Sequence, residues 1–254
     1  MSDIDLTTLL RSWPYEPGRI CARRIAGDDD RPKLQVRLDL GVLQMEMQGR
    51  PDGLRPEGFE SLLVFQQDRF RRYTEQTEQT GGPEGFVLGA DEARALREEA
   101  VQYYHRYVGL FSLGDFEGVI RDTTRNLEVF DLCRDYAAEE TDRTVLEQFR
   151  AYVIMMRTRA QAEQAMAADH PKEALGAIDA ALAELKTLFE QAGHADLYEQ
   201  ANEVQLLRGM RDALVPRLPG SQRVELQERL RGALDAENYE LAAILRDELR
   251  MMEN

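Results

Sequence analysis

Cysteine, histidine and lysine are all scarce in this chain, and each scarcity closes off a class of chemistry. Two cysteines, Cys21 and Cys133, lie far apart in sequence. Two alone cannot build a structural zinc site, and a disulfide between them is not expected in a reducing compartment. The histidines, His105, His170 and His194, never stand three or four residues from one another, so no helix carries a histidine metal pair. Lysine is limited to Lys33, Lys172 and Lys186. No apolar run approaches the ~20 residues that a membrane-spanning helix requires. The opening residues, MSDIDLTTLLRSWPYEP, carry acids where a signal peptide needs bases, so the expected location is the cytoplasm. The phosphate-binding pattern GxxxxGK[ST] does not occur, which excludes the common P-loop ATPases. Ser61, Ser112 and Ser221 lack the GxSxG context of a nucleophile elbow.

Acid is what the chain has in excess. Its formal net charge is −15. Residues 1–90 hold 12 basic against 15 acidic side chains, and residues 91–254 hold 20 against 32, so the acidity sits in the second part. Such a surface repels phosphate backbones, and direct nucleic-acid binding would need a local basic patch. Arg69-Phe70-Arg71-Arg72-Tyr73 is the best candidate, bordered by Glu75 and Glu78; the alternative is a solvated helix face.

Hydropathy divides the chain into three regions. Residues 19–50 read as an antiparallel β-meander. Ile20, Ala22 and Arg24 fall on one side of the first strand. In KLQVRLDL, Leu34, Val36, Leu38 and Leu40 alternate with Lys33, Gln35, Arg37 and Asp39. Leu43, Met45 and Met47 continue the apolar face. A three-stranded sheet needs a cover, and residues 59–79 are expected to supply it through Phe59, Leu62, Leu63, Phe65, Phe70 and Tyr73. Gly and Pro cluster at 51–58 and 80–89, and a domain boundary is placed near the second.

From Asp91 the pattern is helical. Breaks are expected at Leu113-Gly114-Asp115, Ala138–Thr141, Asp169-His170-Pro171, Ala192-Gly193-His194 and Pro216–Ser221. Asp115, Asp169 and Ser221 are the expected N-caps, with Pro171 in a first turn. Two stretches resemble the tetratricopeptide repeat: Tyr103, Tyr107 and Leu110 before Gly114, Phe116 and Val119, and Ala162 and Ala165 before Ala174, Ile178 and Ala181. A generic helical bundle is the alternative.

Several groups invite a chemical reading. Asp28-Asp29-Asp30 could gather a divalent cation, but the calcium-loop spacing and its later bidentate Glu are missing, and a solvated hairpin turn is the favoured reading. Asp39 and Glu46, on neighbouring strands, could pair as acid and base. With Arg37 they would form a ligand- or metal-binding site on the β-module. Tyr103-Tyr104-His105-Arg106-Tyr107 reads as packing.

The closing residues, VELQERLRGALDAENYELAAILRDELRMM, carry the sharpest pattern. Leu226, Leu230, Ala233 and Leu234 line one face of a helix, and Tyr239, Ala242, Leu245, Leu249 and Met252 line a face of a second. Asn238 stands at an N-cap position with Glu240 in the first turn. Glu237-Asn238-Tyr239-Glu240, then Ala242-Ala243, then Arg246-Asp247 with Leu249, resembles the UVR motif, the helix hairpin that ends the excision-repair protein UvrB and recurs in UvrC and in some Clp ATPases and their regulators. The resemblance covers about 30 residues. It implies an antiparallel helix hairpin that pairs with another hairpin, with Arg246-Asp247 bonding across to the partner.

The expected fold is α+β, mainly α. A sheet-plus-helix module spans 1–85, a helical body that is repeat-like or a bundle spans 86–218, and a helix hairpin spans 219–254. The expected function is a non-enzymatic adaptor without cofactor or metal. It would bind a protein through Leu226, Leu230, Tyr239, Ala242, Leu245, Arg246, Asp247, Leu249 and Met252. The resemblance names a UVR-containing protein, a Clp-type ATPase or a second copy as partner. The rivals are a ligand- or metal-binding enzyme at the β-module and a nucleic-acid accessory factor acting through Arg69–Arg72.

Overall fold

Alternation in the first fifty residues yields strands. The computed structural model describes residues 5–77, 85–215, 219–235, 241 and 244–246. A short helix, α1 (Thr7–Ser12), precedes β1 (Cys21–Ala26), β2 (Pro32–Arg37) and β3 (Val42–Glu46). These form an antiparallel sheet of order β1-β2-β3. Ala22 lies opposite Val36, which lies opposite Leu43; Arg24, Leu34 and Met45 form the next row. Leu34, Val36 and Met45 are buried. The apolar face therefore follows the period of two. It stops early, because β2 ends at Arg37: Leu38 is 39% exposed and Leu40 is 88% exposed, both in the turn to β3.

The remaining helices are α2 (Leu62–Thr77), α3 (Ala90–Ser112), α4 (Phe116–Tyr136), α5 (Glu140–Thr144), α6 (Arg150–Ala167), α7 (Pro171–Gln191), α8 (Asn202–Leu214) and α9 (Pro219–Asp235). The chain is thus α+β and mainly α. It forms two compact units, Met1–Ala160 and Gln161–Asn254.

In the first unit the sheet is covered by α3, and not by the helix expected from residues 59–79. A Cβ placed on Gly109 of α3 would lie 2.7 Å from Val36 Cγ2 and 3.0 Å from Leu34 Cδ2, so helix and strand meet where the side chain is smallest. The aromatic residues of α2 have another use. Phe70 packs 5.2 Å from Phe86 and 4.8 Å from Tyr136, and Tyr73 lies 5.9 Å from Phe86, at the far end of α4. The segment of Phe86 is itself fixed there, since Leu88 N donates to Tyr136 O and Ala138 N donates to Leu88 O.

Helices α3 and α4 are an antiparallel pair. Leu110 faces Gly118, Arg106 faces Asp122, Ala100 faces Asn126 and Glu99 faces Arg125. Gly114, at φ +71°, closes α3, and the Asp115 carboxylate caps α4 by accepting from Gly118 N at 3.0 Å. This interface is apolar along Leu96, Tyr103, Tyr107, Leu110, Val119 and Phe130, yet it encloses charge. Arg106, 1% exposed at its side chain, makes two bonds to Asp122, 2.7 and 2.8 Å long. It also donates to the carbonyls of Glu46 at 3.1 Å and Gly49 at 2.7 Å, and so clamps the end of β3 to the helix pair. Glu99, fully buried, accepts from Arg125 and from the Leu62 and Leu63 amides, which fixes the first turn of α2.

In the second unit α7 buries Ala174, Ile178, Ala181 and Leu185 along one stripe, and α8 buries Val204, Leu207 and Leu214. Tyr198 Oη donates to Leu182 O at 3.0 Å, and Arg211 pairs with Asp179 at 2.6 Å. Pro171 occupies the first turn of α7 as expected, but the N-cap is His170. Asp169 instead adopts φ +60° and closes α6, with His170 N donating to Ala165 O at 2.8 Å. A short polar side chain tolerates that conformation better than most. Ser221 is not an N-cap either, since α9 already begins at Pro219.

Candidate functional site

The hairpin pattern places four apolar residues together. Leu226 and Leu230 pack against the buried Ala233 and Leu245, which is 2% exposed. The first three lie on α9 at steps of four and three, one face of the helix, and Leu245 comes from the following helical residues 244–246. Among the described residues the cluster holds these four side chains, and other apolar groups lie outside it. Leu234 is 49% exposed, Leu241 39% and Ile244 58%. Arg246 is exposed as well. Tyr239, Ala242, Asp247, Leu249 and Met252 lie outside the described residues.

The candidates on the β-module are internally occupied. Lys33 bonds Asp29 at 2.8 Å and also Glu46. Asp29, then Glu46, raise the Lys33 pKa, and Lys33 lowers that of Asp29. Asp39 accepts from Leu40 N in the β2–β3 turn, beside Val42, at the opposite end of β3 from Glu46. Arg37 Nε donates to Trp13 O at 2.7 Å, and its Nη1 donates to the carbonyls of the β2–β3 turn. Arg23 and Gln44 both bond Gln35 at 2.9 Å, and Arg23 stacks over Trp13 at 4.1 Å. The polar face is thus a laced layer that holds the strand register. Among the described residues, no three acidic, histidine or cysteine side chains gather as a metal site would require.

Each guanidinium of the basic patch has an acidic partner, though two of them share one. Arg69 pairs with Glu92, and Arg71 and Arg72 both pair with Asp68. No helix of the described residues is long and apolar enough to cross a membrane.

The aromatic run of α3 has two sides. Tyr103 and Tyr107 are core, and Arg125 and Arg106 stack over the Tyr103 ring at 4.0 and 4.7 Å. Burial raises the pKa of both phenols, so neither ionises near neutrality. Tyr104 and His105 face a different place, a pocket of about 500 Å³ walled by α3, α4 and the start of α6. Tyr104 lies 6.3 Å from Tyr152, and Arg159 stacks over Phe111 at 4.4 Å. Seven residues separate each pair on both helices, so α3 and α6 run in the same direction there. Burial lowers the His105 pKa and keeps its imidazole neutral. Sequence periodicity marked this stripe as packing; the pocket needs α6, whose return beside α3 has no local signal.

Cys133 is fully buried, and burial pushes its thiol up to about 11, which leaves it unreactive. No protein-family model, curated protein or solved structure matches the chain.

Proposed function

We propose that this protein is a non-enzymatic cytoplasmic adaptor that binds another protein through its C-terminal hairpin. One observation carries the reading. Leu226, Leu230, Ala233 and Leu245 close a small cluster while Leu234, Leu241 and Ile244 stay exposed. Exposed apolar side chains beside this cluster suit helix-on-helix recognition, in which a partner helix covers them. The resemblance of Glu237–Leu249 to the UVR motif points to a complementary hairpin: an excision-repair protein, a Clp-type ATPase or a second copy of this chain. The helical body then serves as a repeat-like scaffold. Helices α3 and α4 form one antiparallel pair, and α6 runs beside α3 in the same direction, as the first helix of a following pair would. The occupied polar groups of the β-module and the paired Arg69–Arg72 patch favour the adaptor over its two rivals.

The test is binding of purified candidates, and self-association by sedimentation, with Leu234→Glu/Ile244→Glu and Tyr239→Ala/Leu249→Ala variants. Loss of binding by tenfold or more is expected in both, since a central apolar contact is worth about 2 kcal/mol or more. Melting of the first unit should not change. Undiminished binding in both variants would sink the hairpin as the contact surface.

A further inference from the structure

We propose that the pocket between α3, α4 and α6 is a binding site for a small, uncharged, mainly apolar molecule carrying one hydrogen-bonding group. It lies within the first compact unit and does not depend on the hairpin. Its volume, about 500 Å³, falls in the range of small-ligand sites. Tyr107 and Phe130 are buried side chains of its lining. At the mouth Val101 is 53% exposed, Phe149 50% and Tyr104 39%. These large apolar groups border a concave space that the described side chains do not fill, and covering them is favourable.

The charge of the ligand follows from the polar groups of the lining. Arg97 is held by Asp142. Asn126 donates to Ala100 O at 3.0 Å and accepts from Arg125 at 3.1 Å. No cation is left over to receive a phosphate or carboxylate, and an ion entering an apolar pocket loses its hydration without return. His105 is different. It makes no hydrogen bond or ion pair with the described residues, and its ring lies 5.3 Å from that of Tyr104. Its neutral imidazole offers one donor and one acceptor to a hydroxyl, amide or carbonyl in the pocket. A small molecule fits better than a protein surface because the space is concave and its hydrogen-bonding group sits among the aromatic walls.

The experiment titrates the full chain with N-phenylnaphthylamine, a neutral fluorophore that brightens in apolar surroundings, and with its anionic relative anilinonaphthalene sulfonate. Saturable binding of one neutral probe per chain is expected, with the anionic probe at least tenfold weaker. Val101→Trp fills the mouth from a half-exposed position, and Phe149→Glu places a charge there. Either variant that keeps its circular dichroism and melting temperature should bind at least tenfold more weakly, while the Leu234→Glu/Ile244→Glu hairpin variant binds as before. Unsaturable binding, equal affinity for the anionic probe, retention of binding in both pocket variants, or loss in the hairpin variant would each overturn the assignment.

Discussion

Replacing Asp122 with alanine should be among the most damaging single changes in the first unit. The Asp122 side chain is fully buried, and both oxygens are used: two bonds from Arg106 and a third from Arg121 Nε at 2.9 Å. Its removal leaves the Arg106 Nε and Nη2 without acceptors, while Nη1 keeps the Glu46 and Gly49 carbonyls. An uncompensated buried guanidinium of this kind costs about 3–5 kcal/mol. Against a total stability of about 5–15 kcal/mol, that is a large fraction. For a unit of this size, each kcal/mol moves the melting temperature by about 2–4 °C, so a drop of about 6–20 °C is expected. Urea unfolding followed by circular dichroism measures the cost. The single tryptophan, Trp13, reports locally on the sheet because it stacks on Arg23. The pair Arg106→Met/Asp122→Leu should recover part of the loss, since apolar side chains replace a buried ion pair at little cost while the Glu46 and Gly49 carbonyls lose their donor. A loss below about 1 kcal/mol for Asp122→Ala, or a double variant no better than the single one, would refute the reasoning.

Two further expectations depend on the same helices and on α7. Gly109→Ala should destabilise by about 1–3 kcal/mol through the Val36 contact, offset in part by better helix propensity, whereas Gly176→Ala, with open space around its Cβ, should stabilise by about 0.5–1 kcal/mol; equal signs in a melting comparison would contradict the packing. Burial depresses the His105 pKa below the free imidazole value of about 6.5, so its contribution is fully present above that pH and is lost as pH falls through the folded value. His105→Phe should therefore show a shallower loss of stability between about pH 7 and 5 than the parent chain in denaturant titrations.

Local signals were legible wherever a residue's task is decided by its neighbours in sequence. The alternation of Leu34 and Val36 gave the strand, Gly114 and Asp115 gave the helix break and its cap, and Ala174, Ile178 and Ala181 gave the buried stripe of α7. What failed was partner choice. Phe70 and Tyr73 form an apolar face, but nothing in their spacing says that Phe86 and Tyr136 will meet it in place of the sheet. Leu38 and Leu40 continue the alternation beyond the strand because Arg37 turns its guanidinium onto the carbonyls of Leu38, Asp39 and Gly41 and ends the ladder. The site shows the same division. Leu226, Leu230 and Leu245 were readable as core-facing from their steps, and they meet in one cluster. The pocket beside His105 was not, because its walls are far apart in sequence.

The clamp from Arg106 onto Glu46 and Gly49 has a consequence during synthesis. Bonds that tie the sheet in place reach across 57 and 60 residues, and Arg121 reaches Gln48 across 73. At roughly 5–20 residues per second, the strands leave the ribosome about 3–15 seconds before the helices that secure them. The clamp on β3 therefore closes only once translation has delivered Arg106 on α3 and Arg121 on α4.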